Sequence, residues 1–142
     1  MSLIPVPFPG LIISYSYLWR AEYKAGREEG VKDRPCAIVL AKKVEGDDTV
    51  VTVVPITHTP PENPDMAVEI PLRVKQHLKL DSERSWIVCS EVNRFIWPGP
   101  DLRRIAGQRD ATYSYGVLPP KLLTKVTQTL IKSLAKIVSR TD

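Results

Sequence analysis

Two apolar runs rich in β-branched residues, joined through a Gly/Asp turn, constrain this chain more than any other feature. The first is Asp33-Arg34-Pro35-Cys36-Ala37-Ile38-Val39-Leu40. The second is Thr49-Val50-Val51-Thr52-Val53-Val54-Pro55-Ile56-Thr57-His58. Both read as buried strands. The turn Lys43-Val44-Glu45-Gly46-Asp47-Asp48 has the residues of a hairpin loop. An antiparallel hairpin brings the start of the first run beside the end of the second, so Arg34 and Thr57 are expected at one rim of the sheet. Pro35 forces Arg34 into an extended conformation. A guanidinium and a hydroxyl at one rim form a natural seat for a phosphate oxyanion.

The rest of the chain must cover that hairpin. At 142 residues it is expected to form a single domain, 1–142, with a real core. Hydrophobic content of 43% and charged content of 25% fit an ordinary globular protein. A net charge of +4 is compatible with nucleic acid without demanding it. Cys36 and Cys89 lie in apolar runs without CxxC spacing, so they read as small buried hydrophobes and make neither a zinc nor a redox motif. Met1 to Gly10 lacks a basic start and is broken by three prolines, unlike a signal peptide. Leu11 to Trp19 is too short and polar to span a bilayer. A cytoplasmic protein with no membrane partner is expected.

Pro9-Gly10 opens a first strand over Leu11 to Trp19, whose second half alternates as if one face were in the core. Arg20 to Asp33 is charged, contains Gly26 and Gly30, and reads as a long exposed loop with a functional role. After the hairpin, prolines at 60, 61 and 64 exclude regular structure. A short strand Ala67 to Ile70 follows. Pro71 opens a short helix to about Leu78, with Val74 and Leu78 as its apolar pair. Trp86 to Cys89 is a strand that continues or bends into Ser90 to Trp97. The stretch 100–116 reads as irregular. The last segment is an amphipathic helix, with Leu122, Leu123, Val126, Leu130, Leu134, Ile137 and Val138 on one face and lysines on much of the rest. The expected fold is mainly β, a small, strongly bent sheet or partly open barrel with a C-terminal α-helix.

Most catalytic signatures are missing. There is no Gly-rich phosphate loop, HExxH or GxSxG. His58 and His77 lack acidic or thiol neighbours in a metal-ligating pattern, so no metal and no cofactor are expected. Arg34 reads either as an oxyanion ligand or as a rim arginine paired with Asp33, Glu28 or Glu29. Thr57 alone reads as a strand-end hydroxyl. His58 is either an exposed loop histidine or a proton carrier.

The succession Pro-Gly-strand, Gly/Glu loop, Arg34-Pro35-strand, and strand-Pro55-Ile56-Thr57 resembles the MazF/PemK toxins of type II toxin–antitoxin systems. The likeness continues through Ala67-Val68-Glu69-Ile70 and Ser85-Trp86-Ile87-Val88-Cys89-Ser90-Glu91-Val92 to the final helix. The resemblance implies an SH3-like barrel, a homodimer, and metal-independent cleavage of single-stranded RNA (mRNA) by 2′-hydroxyl attack. It puts the catalytic pair on Arg34 and Thr57. Glu28, Glu29 and His58 are candidates for proton transfer. Arg27, Lys32, Ser90, Glu91, Asn93 and Arg94 are candidates for RNA contact. A cognate antitoxin is the implied protein partner, with DNA reached only through the antitoxin complex. The loop here reads Gly26-Arg27-Glu28-Glu29-Gly30 where the family commonly has Gly-Ser-Glu-Gln, which adds negative charge near the phosphate site. The alternative on the same fold is a non-catalytic or inactivated relative that acts by protein or nucleic-acid binding, as CcdB-type toxins do.

Overall fold

The structure is a computed structural model that describes residues 4–26, 32–106 and 112–140, with side chains of the final helix described as far as Leu134. Among the described residues, seven strands and three α-helices follow one another as β1 (Leu11–Tyr15), α1 (Arg20–Lys24), β2 (Arg34–Lys43), β3 (Thr49–Thr57), β4 (Ala67–Glu69), α2 (Leu72–His77), β5 (Trp86–Val88), β6 (Asn93–Ile96), β7 (Ser114–Val117) and α3 (Pro120–Arg140). The antiparallel sheet runs β4-β5-β3-β2-β1-β7, and β6 also pairs with β3. The expected architecture, mainly β with a C-terminal helix, is what the chain adopts.

The β2–β3 hairpin is its spine. The register Cys36↔Pro55, Ala37↔Val54 and Ile38↔Val53 shifts by one residue before Leu40↔Thr52. Such a bulge increases local twist and bends the strand. The turn closes with Val44 N–H donating to the Asp48 carbonyl at 2.8 Å, and Gly46 takes φ of +82° there, a conformation cheap only for glycine. β3 is long enough to change partners. Val50 to Val53 pair with β6, whereas Ile56 and Thr57 pair with β5. Pro55 falls in the gap between the two pairings, where a missing N–H costs the ladder least.

Both faces of the central strands are buried. Ile12, Ala37, Val54 and Ile56 join a cluster with Ile87, Leu118, Val126 and Leu130. Leu11, Ile13, Tyr15, Cys36, Ile38, Val51 and Val53 form a second cluster. This is why β1 is buried along its whole length instead of alternating. It also ends at Tyr15 rather than Trp19.

Three further expectations change. The segment expected to be one loop from Arg20 to Asp33 begins with α1, where the Glu22 carboxylate accepts the Trp19 N–H at 3.0 Å as half of a capping box. The stretch expected to be irregular at 100–116 contains the start of β7, which pairs with β1, and Leu102, which bridges to Tyr15. On α3, Val126 and Leu130 are buried but Leu134 is 45% exposed. The sheet is too short to cover the whole apolar stripe, and the side chains of Ile137 and Val138 lie outside the described residues.

Candidate functional site

Arg34 opens β2 and Thr57 closes β3. Continuing the Cys36↔Pro55 register by two residues sets them across from each other. Both line a cavity of about 200 Å³ together with Lys32, His58, Asp81 and Ser85. The Arg34 guanidinium carbon lies 4.9 Å from the centre of the Trp19 ring, a cation–π distance. Its Nε–H is buried and, among the described residues, has no hydrogen-bond partner. The alternative of a rim arginine tied up by Asp33 is not what the geometry shows, since Asp33 faces Arg103 at 3.7 Å. Glu28 and Glu29, the other partners weighed for Arg34, lie outside the described residues. The Thr57 Oγ1 accepts the Thr59 N–H at 3.2 Å, which leaves its own O–H to donate.

Thr57 also borders a second cleft of about 460 Å³, lined by Trp19, Pro60, Asn63, Met66 and Ser90 among others. The threonine therefore stands between a charged cavity and a larger cleft with an aromatic wall. Trp19 supplies that wall, and the 59–65 segment, whose prolines deny it a ladder, lines the cleft with Pro60, Pro61 and Asn63.

His58 is placed by tertiary structure beside acidic groups, which corrects its reading as a histidine without acidic neighbours. Its Nε2 is 2.7 Å from Asp81 Oδ2 and its Nδ1 is 3.3 Å from Glu83 Oε2. The Lys75 ammonium, only 2% exposed, donates to Asp81 Oδ1 at 2.8 Å and to Ser85 Oγ at 2.7 Å. Burial raises the Asp81 carboxyl, but the Lys75 hydrogen bond and the nearby His58 together hold it below the ordinary carboxylate range. His58, Asp81 and Glu83 each offer an atom within 4.8 Å of the others. With Asp81 already committed to an ammonium, this cluster is an ion-pair network rather than a cation site.

The residues expected to contact RNA fall into four groups. Lys32 lines the charged cavity and Ser90 the second cleft. Glu91 and Asn93 are occupied elsewhere. Glu91 accepts from the Tyr17 hydroxyl and the Arg20 N–H at 3.1 and 2.9 Å. Asn93 accepts the Leu18 N–H at 2.9 Å and donates to the Leu18 carbonyl at 2.8 Å. Both pin the segment that carries Trp19. Arg94 is exposed on β6 opposite Thr52, roughly 16 Å along β3 from Thr57 at ~3.3 Å per residue. Arg27, Glu28 and Glu29 lie outside the described residues.

Trp19, Lys75, Asp81 and Ser85 were not singled out by the sequence. Trp19 read as a strand end, and Lys75 and Asp81 share no motif spacing. Only the burial of a lysine on α2, invisible in one dimension, marks them. The two cysteines are buried and free. Burial raises both thiols, Cys89 to about 12, which disfavours the thiolate that a nucleophile needs.

No helix among the described residues is long and apolar enough to cross a membrane. No match was found among curated proteins. The family model of PemK-like, MazF-like toxins of type II toxin–antitoxin systems matches residues 17–134, a span that takes in the hairpin, both clefts and most of α3. The resemblance carried by Arg34-Pro35 and Pro55-Ile56-Thr57 is thereby a membership: the chain belongs to the MazF/PemK family of type II toxins.

Proposed function

We propose that this chain is the toxin of a type II toxin–antitoxin pair and acts as an endoribonuclease, with Arg34 and Thr57 binding the scissile phosphate. The observation that carries this reading is the Arg34 Nε–H, a buried charged donor that has no hydrogen-bond partner among the described residues and lies at a cavity that Thr57 shares. A role confined to protein binding has no need of such a donor, whose lost hydration is replaced by no hydrogen bond among the described residues until an anion arrives. RNA carries its own nucleophile, so the protein need not activate water. The ribose 2′-hydroxyl attacks phosphorus, the P–O5′ bond breaks, and the products are a 2′,3′-cyclic phosphate and a 5′-hydroxyl. Arg34 holds two phosphoryl oxygens while charge builds on them, and the Thr57 hydroxyl adds a third donor. Lys32 supplies charge beside the phosphate, and the cleft with Trp19 and Ser90 receives a neighbouring base, which stacks on aromatic surface whatever its identity.

A second copy of the chain is part of the proposal, as are single-stranded RNA as substrate and an antitoxin segment that covers the rim. Incubating the purified protein with a long RNA in chelator and mapping both ends tests the reading. Cyclic phosphate and 5′-hydroxyl termini are expected. Uncut RNA, or cleavage only after Mg²⁺ is added, overturns it.

A further inference from the structure

We infer that His58 is the general acid of this site, giving a proton to the departing 5′-oxygen, and that Asp81 and Lys75 hold it in position. The inference rests on the nuclease reading above and names the part of the machinery that reading leaves open.

Both nitrogens of the His58 ring face a carboxylate oxygen, and the doubly protonated ring satisfies both with donated bonds. The two contacts are unequal. The short one, Nε2 to Asp81 at 2.7 Å, is backed by Lys75, which is anchored in turn on Ser85. Asp81 is held from one side by a buried ammonium, so it fixes the ring the way a third group orients a catalytic histidine. The longer contact, Nδ1 to Glu83 at 3.3 Å, ends on a side chain that is 73% exposed. In the proposed step the Glu83 carboxylate leaves the ring when RNA binds, and Nδ1 gives its proton toward the cavity that His58 lines with Arg34 and Thr57. The charged groups around the ring are Asp81 and Glu83 from the loop after α2, Lys75 from α2, and Lys32, Asp33 and Arg34 across the cavity.

The step balances. The 2′-oxygen bonds to phosphorus and its proton passes to solvent. The P–O5′ electron pair leaves with the 5′-oxygen, which takes the Nδ1 proton. His58 becomes neutral, still donating through Nε2 to Asp81, and is reprotonated from water.

The test compares two RNA oligonucleotides of one cleavable sequence, the second with a bridging sulfur in place of the scissile 5′-oxygen. A thiolate leaves without protonation, so it bypasses a general acid. His58→Gln is expected to lose roughly 10²-fold or more on ordinary RNA, within the usual range for acid–base catalysis, and to cut the sulfur-linked RNA at nearly the wild-type rate. Asp81→Asn is expected to show a smaller loss of the same selective kind, confined to ordinary RNA. Arg34→Ala is expected to lose activity on both substrates. Equal losses of His58→Gln on both substrates, or no loss on either, overturn the assignment of His58 while leaving the nuclease reading intact. A wild-type protein that cuts neither RNA removes the nuclease reading and this inference together. Thermal melting of each variant separates a misfolded protein from a catalytic defect: a folded His58→Gln protein with full activity on ordinary RNA refutes the proposal.

Discussion

Among the described residues the buried Arg34 Nε–H has no hydrogen-bond partner, and an unsatisfied donor costs about 1–3 kcal/mol or more when charged. In the proposed site a phosphate oxyanion offsets that cost. Arg34→Ala is therefore expected to cut RNA cleavage by roughly 10²–10³ while leaving the denaturation midpoint unchanged or raised. Arg34→Lys is expected to rescue little, because a point charge on a flexible stem does not fork onto two oxygens. Rates and urea midpoints of the two variants check this. The cysteines give a second prediction at this scale. Burial raises both thiols, that of Cys89 to about 12, so their reactive thiolate is scarce in the folded state near neutral pH. A thiol reagent at pH 8 is expected to label neither Cys36 nor Cys89 in the folded protein and both after denaturation; prompt labelling of the native protein would contradict their burial. The position of Arg34 and Thr57 was legible because hairpin register is a local property. The partners of His58 were not, since Asp81 and Glu83 meet it across 23 and 25 residues of chain (81 − 58 and 83 − 58) that carry no pattern.

Helix α3 carries apolar side chains both in the core and at the surface. Leu130 is 8% exposed and sits on the cluster with Val126, whereas its neighbour Ile131 is 60% exposed. Leu130→Ala is expected to destabilise by about 2–4 kcal/mol through lost burial and a residual cavity. Ile131→Ala is expected to stay within about 0.5 kcal/mol of wild type. Chemical denaturation of the pair reads the difference. Asn93 makes the other test at this scale. Its amide bridges both backbone groups of Leu18, so Asn93→Ala leaves two polar groups without their partner and is expected to cost about 1–3 kcal/mol. A variant that kept full stability and lost RNA affinity would show Asn93 to be an RNA contact. The elements most legible from sequence, β2, β3 and α3, are long and periodic. β7 and the Leu102 bridge were not legible, because Ser114-Tyr115-Gly116-Val117 becomes a strand only when β1 offers an edge to pair with.

On the scale of the whole molecule, the proposed antitoxin and RNA compete for one rim. A net charge of +4 favours an acidic, extended segment, and such segments gain on-rate from opposite charge. Saturating cognate antitoxin is expected to abolish RNA binding, and RNA affinity is expected to fall linearly on a log–log plot against salt. An antitoxin that binds tightly yet leaves RNA affinity unchanged would show that the sites are separate. Light scattering reads the proposed second copy directly, and a monomer at micromolar concentration would reject it.

The sequence by itself determined a β-rich chain with a terminal helix, because side-chain periodicity and turn residues act over neighbours. It determined the hairpin that faces Arg34 with Thr57, and through its motifs the toxin family. Only the tertiary structure decided that both faces of the sheet are buried, that Glu91 and Asn93 brace the Trp19 segment, and that His58 stands between two carboxylates backed by a buried lysine. Those outcomes depend on which surfaces meet after folding, and contacts between elements distant in the chain leave no periodic trace in the order of its residues.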